Sequence, residues 1–269
     1  VPTLRDQIVD PILRQAVEAV DAGDVTALSA LLAAHPDLAG RRATFEAPAY
    51  FRSPALLAFV AENPVRNERL PPNVVEAARI ILDAGTAPAD VQETLGLVAS
   101  GRVAREAGAQ EALIDLLVAH GADPARALDV ALVHGEFAAA RALLRLGAPP
   151  TLPATAALDD VEEASRLMAT ASPADRHLAL ALAAQFGRTT ILELLLVAGE
   201  DSSQFNPPGA HAHSTPLHQA AWAGHADAVR LLLAHGARRD LRDTLWNGTA
   251  ADWARHAGRP EIAALLDGP

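Results

Sequence analysis

Ser214-Thr-Pro-Leu-His-Gln-Ala-Ala-Trp-Ala-Gly-His225, continuing through Ala226 to Leu231-Leu232-Leu233 and Gly236-Ala237, is the stretch whose reading decides the fold. Thr215 and Pro216 open a helix there, because proline in a first turn has no N–H to lose and a φ already set for helix. Gly224 turns the chain. Val229, Leu232 and Leu233 then give a second helix one apolar stripe, and Gly236 stops it. The stretch predicts helix, tight turn, helix, stop.

Laid along the rest of the chain, the same unit recurs. Asp10-Pro11 caps a helix to Ala22, with a turn at Gly23 and a partner over Val25 to Leu32. Ser53-Pro54 starts a second pair through Leu57 and Val60 to Glu62, completed by Val74 to Ala84. The proline-bounded insertion between them, residues 63–72, is expected as an external loop. Asp90 to Glu106 is long for a first helix, and Gly96 and Gly101 inside it predict a bend or break. Glu111 to His120 follows, then Ala125 to His134 with Phe137 to Leu146. The fifth pair is the weakest, with Asp160 standing where the turn glycine belongs. Ser172-Pro173 begins the sixth pair, Ser214 the seventh, and Gly248 a shortened eighth.

The wording T-P-L-H-x-A-A-x-x-G-H, followed by L-L-L-x-x-G-A, closely resembles the ankyrin repeat, and Gly121-Ala-Asp-Pro124 resembles that family's stop. The resemblance is best over residues 201–269 and degenerate over 1–200. It implies an all-α ankyrin-like solenoid of about eight helix-turn-helix repeats, read here as one domain over 1–269, since no Gly/Ser-rich linker interrupts it. Spacing refines the picture. Gly121 to Gly147 is 26 residues and Gly147 to Gly199 twice that, against about 33 for an ankyrin repeat. The β-hairpin fingers are therefore expected to be trimmed in the middle repeats. They are expected to survive mainly near 200–213 and 238–247.

Composition excludes several functions. Half of the residues are hydrophobic and aromatics are only 4%, which favours closely approaching alanine-rich helices. Formal charge is −11 with no long basic run, so the clustered cationic face needed for nucleic acid is missing. Cysteine is absent, which removes disulfides, thiol nucleophiles and cysteine-based zinc sites. All basic residues are arginine, the composition of a GC-rich, bacterial genome. Residues 1–10 lack the apolar segment of a secretory signal, and no 18-residue apolar run would span a membrane. The expectation is a cytoplasmic protein.

Candidate functional residues fall into three groups. In ankyrin repeats the two residues before the turn glycine face the concave surface and vary with the partner. That resemblance assigns Trp222 with Ala223, Gln185 with Phe186, Val133 with His134, and His256 with Ala257. Phe186 and Trp222 are the expected anchors, with Gln185, His134, Phe205 and Trp246 as further binding residues. His211 and His213 sit at i, i+2, on one face of an extended segment, and form a candidate metal pair with Asp201 as third ligand. Asp252 and His256 are four apart on a helix and form a candidate carboxylate-oriented general base. No G-x-S-x-G, P-loop, G-x-G-x-x-G or H-E-x-x-H motif accompanies them, and no cofactor is implied. By the family pattern His218 and His225 are structural. The leading expectation is a non-catalytic scaffold that binds a protein or peptide on its concave face. The alternative is a small-molecule or enzymatic pocket, formed where the 201–213 finger closes over Phe186 and Trp222.

Overall fold

A computed structural model describes residues 7–45, 53–63 and 65–268. The chain is all-α and divides into two compact units, Val1–Pro149 and Pro150–Pro269. The division falls between adjacent prolines, neither of which has an N–H to give to a helix.

The amino-terminal unit contains α1 (Pro11–Ala22), α2 (Val25–Ala34), a 3-10 helix (Leu56–Ala61), α3 (Val74–Asp83), α4 (Pro88–Ala99), α5 (Arg102–Glu106), α6 (Gln110–Ala119), α7 (Ala125–Val133) and α8 (Phe137–Arg145). Asp10 starts α1 by accepting the N–H groups of Ile12 and Leu13, and Gly23 ends it in the left-handed region. Leu13, Leu28, Leu57, Ile81, Leu95, Leu113 and Leu117 are fully buried, each contributing roughly 1.5–3 kcal/mol by leaving water. The expected break near Gly96 and Gly101 occurs at Gly101 alone. A β-carbon there would stand 2.9 Å from the Leu97 carbonyl oxygen, so only glycine lets α5 begin so soon after α4.

Two details of this unit differ from expectation. The second pair opens with a buried 3-10 helix rather than an α-helix. Glu62 closes it with a φ of 50°, and its Oε1 accepts the N–H groups of Arg66, Asn67 and Glu68. The insertion is also pinned from within. Arg66, whose side chain is 3% exposed, pairs with Asp21 at 2.6 Å and Glu62 at 2.9 Å. It also donates to the Phe59 carbonyl at 3.0 Å and lies 4.8 Å from the centre of the Phe59 ring. Two buried carboxylates require a buried cation, and the insertion supplies it.

The carboxy-terminal unit contains α9 (Leu152–Leu158), α10 (Val161–Met168), α11 (Pro173–Gln185), α12 (Thr189–Val197), α13 (Pro216–Ala223), α14 (Ala226–Ala234), α15 (Ala250–His256) and α16 (Pro260–Asp267). The first helices pack in the row α9, α11, α13, α15, and the second helices in the row α10, α12, α14. The core between the rows is alanine and leucine, including Ala179, Leu180, Leu192, Leu195, Leu217, Ala220, Val229, Leu232 and Ala254. The turns at Gly187, Gly224 and Gly258 have φ of 66°, 87° and 70°. In the weakest pair the equivalent residue is Asp159, at φ 67°, rather than Asp160. Asp160 stands one place further on and caps α10 through the Glu163 N–H. A short polar side chain tolerates this conformation better than most.

Among the described residues there is no β-strand, and the fingers are reduced accordingly. The finger at 238–247 keeps one antiparallel bridge, Arg242 with Thr249. Residues 200–213 form a turn-rich loop instead of a hairpin, where Pro207 and Pro208 offer no N–H for a ladder. No helix among the described residues is long and apolar enough to cross a membrane.

Candidate binding surface

The turn row is stitched from repeat to repeat. The residue after each turn reaches back to the preceding pair. Arg188 Nε donates to the Ala157 carbonyl at 3.2 Å, and a His225 ring N–H donates to the Gln185 carbonyl. The His225 ring also fills the space over Gly187, where a β-carbon would meet it at 2.7 Å. Burial lowers the His225 pKa from 6.5, only partly offset by the Gln185 hydrogen bond. Stitching fixes the helix ends in register, so Gln185, Trp222 and His256 occupy equivalent places two residues before their turns. Phe186 is one residue off that column and equivalent to Ala223.

His218 performs a similar task at the other end of α13. Its Nδ1 accepts from the Thr215 N–H at 3.3 Å and lies 2.8 Å from the Thr215 hydroxyl. Its Nε2 donates to the Gly248 carbonyl at 3.1 Å, in the next repeat. Burial pushes the His218 pKa below 6.5, which keeps the neutral ring these bonds need. In α15 the same box is built by Asp252, whose carboxylate accepts from the Thr249 N–H and hydroxyl at 3.0 and 2.9 Å.

Beyond this scaffold all three tryptophans of the chain converge. Trp253 is the centre, with ring centroids 5.9 Å from Trp222, 5.7 Å from Trp246, 5.2 Å from His218 and 5.7 Å from His213. Trp222 stacks on His256 at 5.8 Å, and His213 meets Trp246 edge to face at 5.2 Å. Such geometry is favoured by the ring quadrupoles. The assembly is open on one side: Trp222 is 46% exposed, Trp246 69% and Leu245 63%.

Asp243 holds that open edge in place. It is 2% exposed, and its Oδ1 accepts the Leu245 and Trp246 N–H groups at 2.9 and 2.6 Å. Its Oδ2 accepts the Gly248 N–H at 2.8 Å and the Trp253 indole N–H at 3.0 Å. Burial alone would raise its pKa from 3.8; the four donors, led by Trp246, outweigh burial and hold it at about 2. The 201–213 loop braces the same edge, since the Thr244 N–H donates to the His213 carbonyl at 2.9 Å.

The structure thus gathers Trp222, Trp246, His211, His213 and His256, with His211 and His213 ring centroids 6.1 Å apart. The Asp201 carboxylate accepts its own loop's Ser203 N–H at 2.8 Å, and among the described residues no group of three metal-ligating side chains occurs. Asp252 and His256 form no ion pair among the described residues: Asp252 is engaged by Thr249 and Arg255, and His256 by Trp222. Gln185 contributes its carbonyl to His225, while Phe186 and Phe205 are half-buried. His134 ends α7 in the amino-terminal unit. The residues that sequence reasoning passed over are Trp253, Leu245 and Asp243. The clue to them was that a chain with three tryptophans places all of them between 222 and 253.

Stacked helix pairs, capped at one end and joined by left-handed turns at the other, define a helical-repeat protein. Residues 155–243 and 180–267 match the family model described as Ankyrin repeats (3 copies). The carboxy-terminal unit is an ankyrin-repeat array, and such repeats generally mediate protein–protein interaction.

Proposed function

We propose that the chain is a non-catalytic recognition scaffold and that a protein or peptide partner docks on the aromatic surface of Trp222, Trp246 and Leu245. The observation that carries this reading is the convergence of three tryptophans with two of them left open, since tryptophan dominates binding hot spots. Trp222 stands in the register where the family presents partner-contacting residues. The hydrogen-bonding character of the surface narrows the partner further. The Trp253 indole N–H is spent on Asp243, but those of Trp222 and Trp246 meet no acceptor among the described residues. Asp243 and Asp252 are both satisfied by their own chain. A partner that presents an apolar side chain beside free carbonyl oxygens fits this edge. The exposure of Trp222 and Trp246 favours such a partner over an enclosed small-molecule pocket.

A displayed peptide library selected against the intact chain tests the proposal. Trp222→Ala or Trp246→Ala is expected to cost selected peptides about 2 kcal/mol, roughly a thirtyfold loss in affinity, with the melting temperature nearly unchanged. Peptides that bind both variants as tightly as the parent would remove the surface from the function.

A further inference from the structure

We propose that Asn247–Gly248, at the tip of the tryptophan-bearing loop, is a masked deamidation site that the Asp243 carboxylate keeps closed. Asn247 is exposed, has a φ of 56°, and its side-chain amide meets no partner among the described residues. The next residue has no side chain to obstruct approach along the backbone. In the reaction the Gly248 backbone nitrogen attacks Cγ of Asn247. A C–N bond forms, and the side-chain nitrogen leaves as ammonia, carrying away the Gly248 amide proton. The resulting five-membered imide is opened by water at either carbonyl, leaving aspartate or isoaspartate. No oxidant or reductant is involved.

The folded loop opposes every part of that step. The attacking nitrogen has its N–H committed to Asp243 Oδ2 at 2.8 Å. Rotation that would bring it to Cγ is resisted on both sides. The Asn247 carbonyl accepts from Arg242 Nη1 at 2.7 Å. The Gly248 carbonyl accepts from the Asp243 N–H at 2.9 Å and from His218 Nε2 at 3.1 Å. A carboxylate held as acidic as Asp243 also makes a poor acceptor for the proton that must depart. Opening of the loop releases all of these at once. The product carries a new negative charge, and isoaspartate adds a backbone carbon directly after Trp246. The modification is therefore a one-way change at the rim of the aromatic surface.

Mass spectrometry of the intact chain and of its 242–255 region, after incubation at mildly alkaline pH, reads the conversion without any partner. The urea-unfolded chain is expected to convert at Asn247 at least tenfold faster than the folded chain. Asp243→Asn is expected to approach the unfolded rate while its circular dichroism remains helical. Asn247→Gln should stay unconverted in every state, because its longer side chain closes the imide far less readily. Should Asp243→Asn fail to fold, Arg242→Ala, which frees only the Asn247 carbonyl, is expected to convert faster than the parent in the folded state. Equal rates in the folded and unfolded parent, or no acceleration in a folded variant, would overturn the proposal.

Discussion

At the scale of single residues, the turns differ in what a side chain would cost. Gly187 and Gly224 both lie in the left-handed region, where alanine pays about 1–2 kcal/mol. A β-carbon at Gly224 would meet the flexible end of Arg259 at 3.0 Å, whereas at Gly187 it would meet the His225 ring at 2.7 Å. That ring is anchored to the Gln185 carbonyl and cannot yield without losing a hydrogen bond. Gly187→Ala should therefore lower the melting temperature more than Gly224→Ala does, and paired thermal melts decide it. The roles of His218 and His225 were legible from the T-P-L-H and G-H wording. That of Asp243 was not, because its four donors come from residues that only the folded loop brings within reach.

At the scale of elements, two polar knots hold segments that propensity alone would leave loose. Asp243→Asn offers one acceptor and one donor to four inward N–H groups, leaving buried donors unpaired at about 1–3 kcal/mol. Its carboxyl titrates in the same sense. The folded pKa of about 2 lies below the unfolded 3.8. Its stabilisation is thus complete above pH 3.8 and is lost as pH falls toward 2. Amide exchange of the Leu245, Trp246 and Gly248 N–H groups should rise through that window and already be fast at neutral pH in Asp243→Asn. In the amino-terminal unit, Arg66→Ala strands Asp21 and Glu62, and removal of one partner from a buried ionic cluster costs about 3–5 kcal/mol. Urea denaturation measures it. The insertion carrying Arg66 reads as an external loop because proline content and charge describe where a segment starts and ends. They do not show that two carboxylates, one of them on α1, await it.

At the scale of the whole molecule, helix pairing was written in the chain as cap, proline, glycine and leucine run, each acting within a few residues. Sequence pairs Phe186 with Trp222 because both lie just before the turn glycines of adjacent repeats. The turn register aligns Trp222 with Gln185 and His256, and Trp253 on α15 completes the surface. The division between Pro149 and Pro150 carried only the proline pair as a signal. Stability of the carboxy-terminal unit should also fall with acidification below pH 6.5. His218 and His225 have folded pKa values lowered from 6.5, chiefly by burial. Above pH 6.5 both rings are neutral in either state. Below it the unfolded chain takes up protons that the buried rings resist, and a proton on His218 Nδ1 would cost the bond it accepts from the Thr215 N–H. The melting temperature at pH 5 is expected below that at pH 8.

The tryptophan cluster has a spectroscopic consequence. Every indole of the chain lies within 5.9 Å of another, and none lies in the amino-terminal unit. Intrinsic emission excited at the red edge of the indole band therefore reports on this one surface and on nothing else in the molecule. Indole transitions so close couple to one another, giving the near-ultraviolet circular dichroism a paired-band shape that collapses when Trp253 is removed. A ligand covering Trp222 and Trp246 would shift the emission to the blue, so its arrival can be followed on the unlabelled protein.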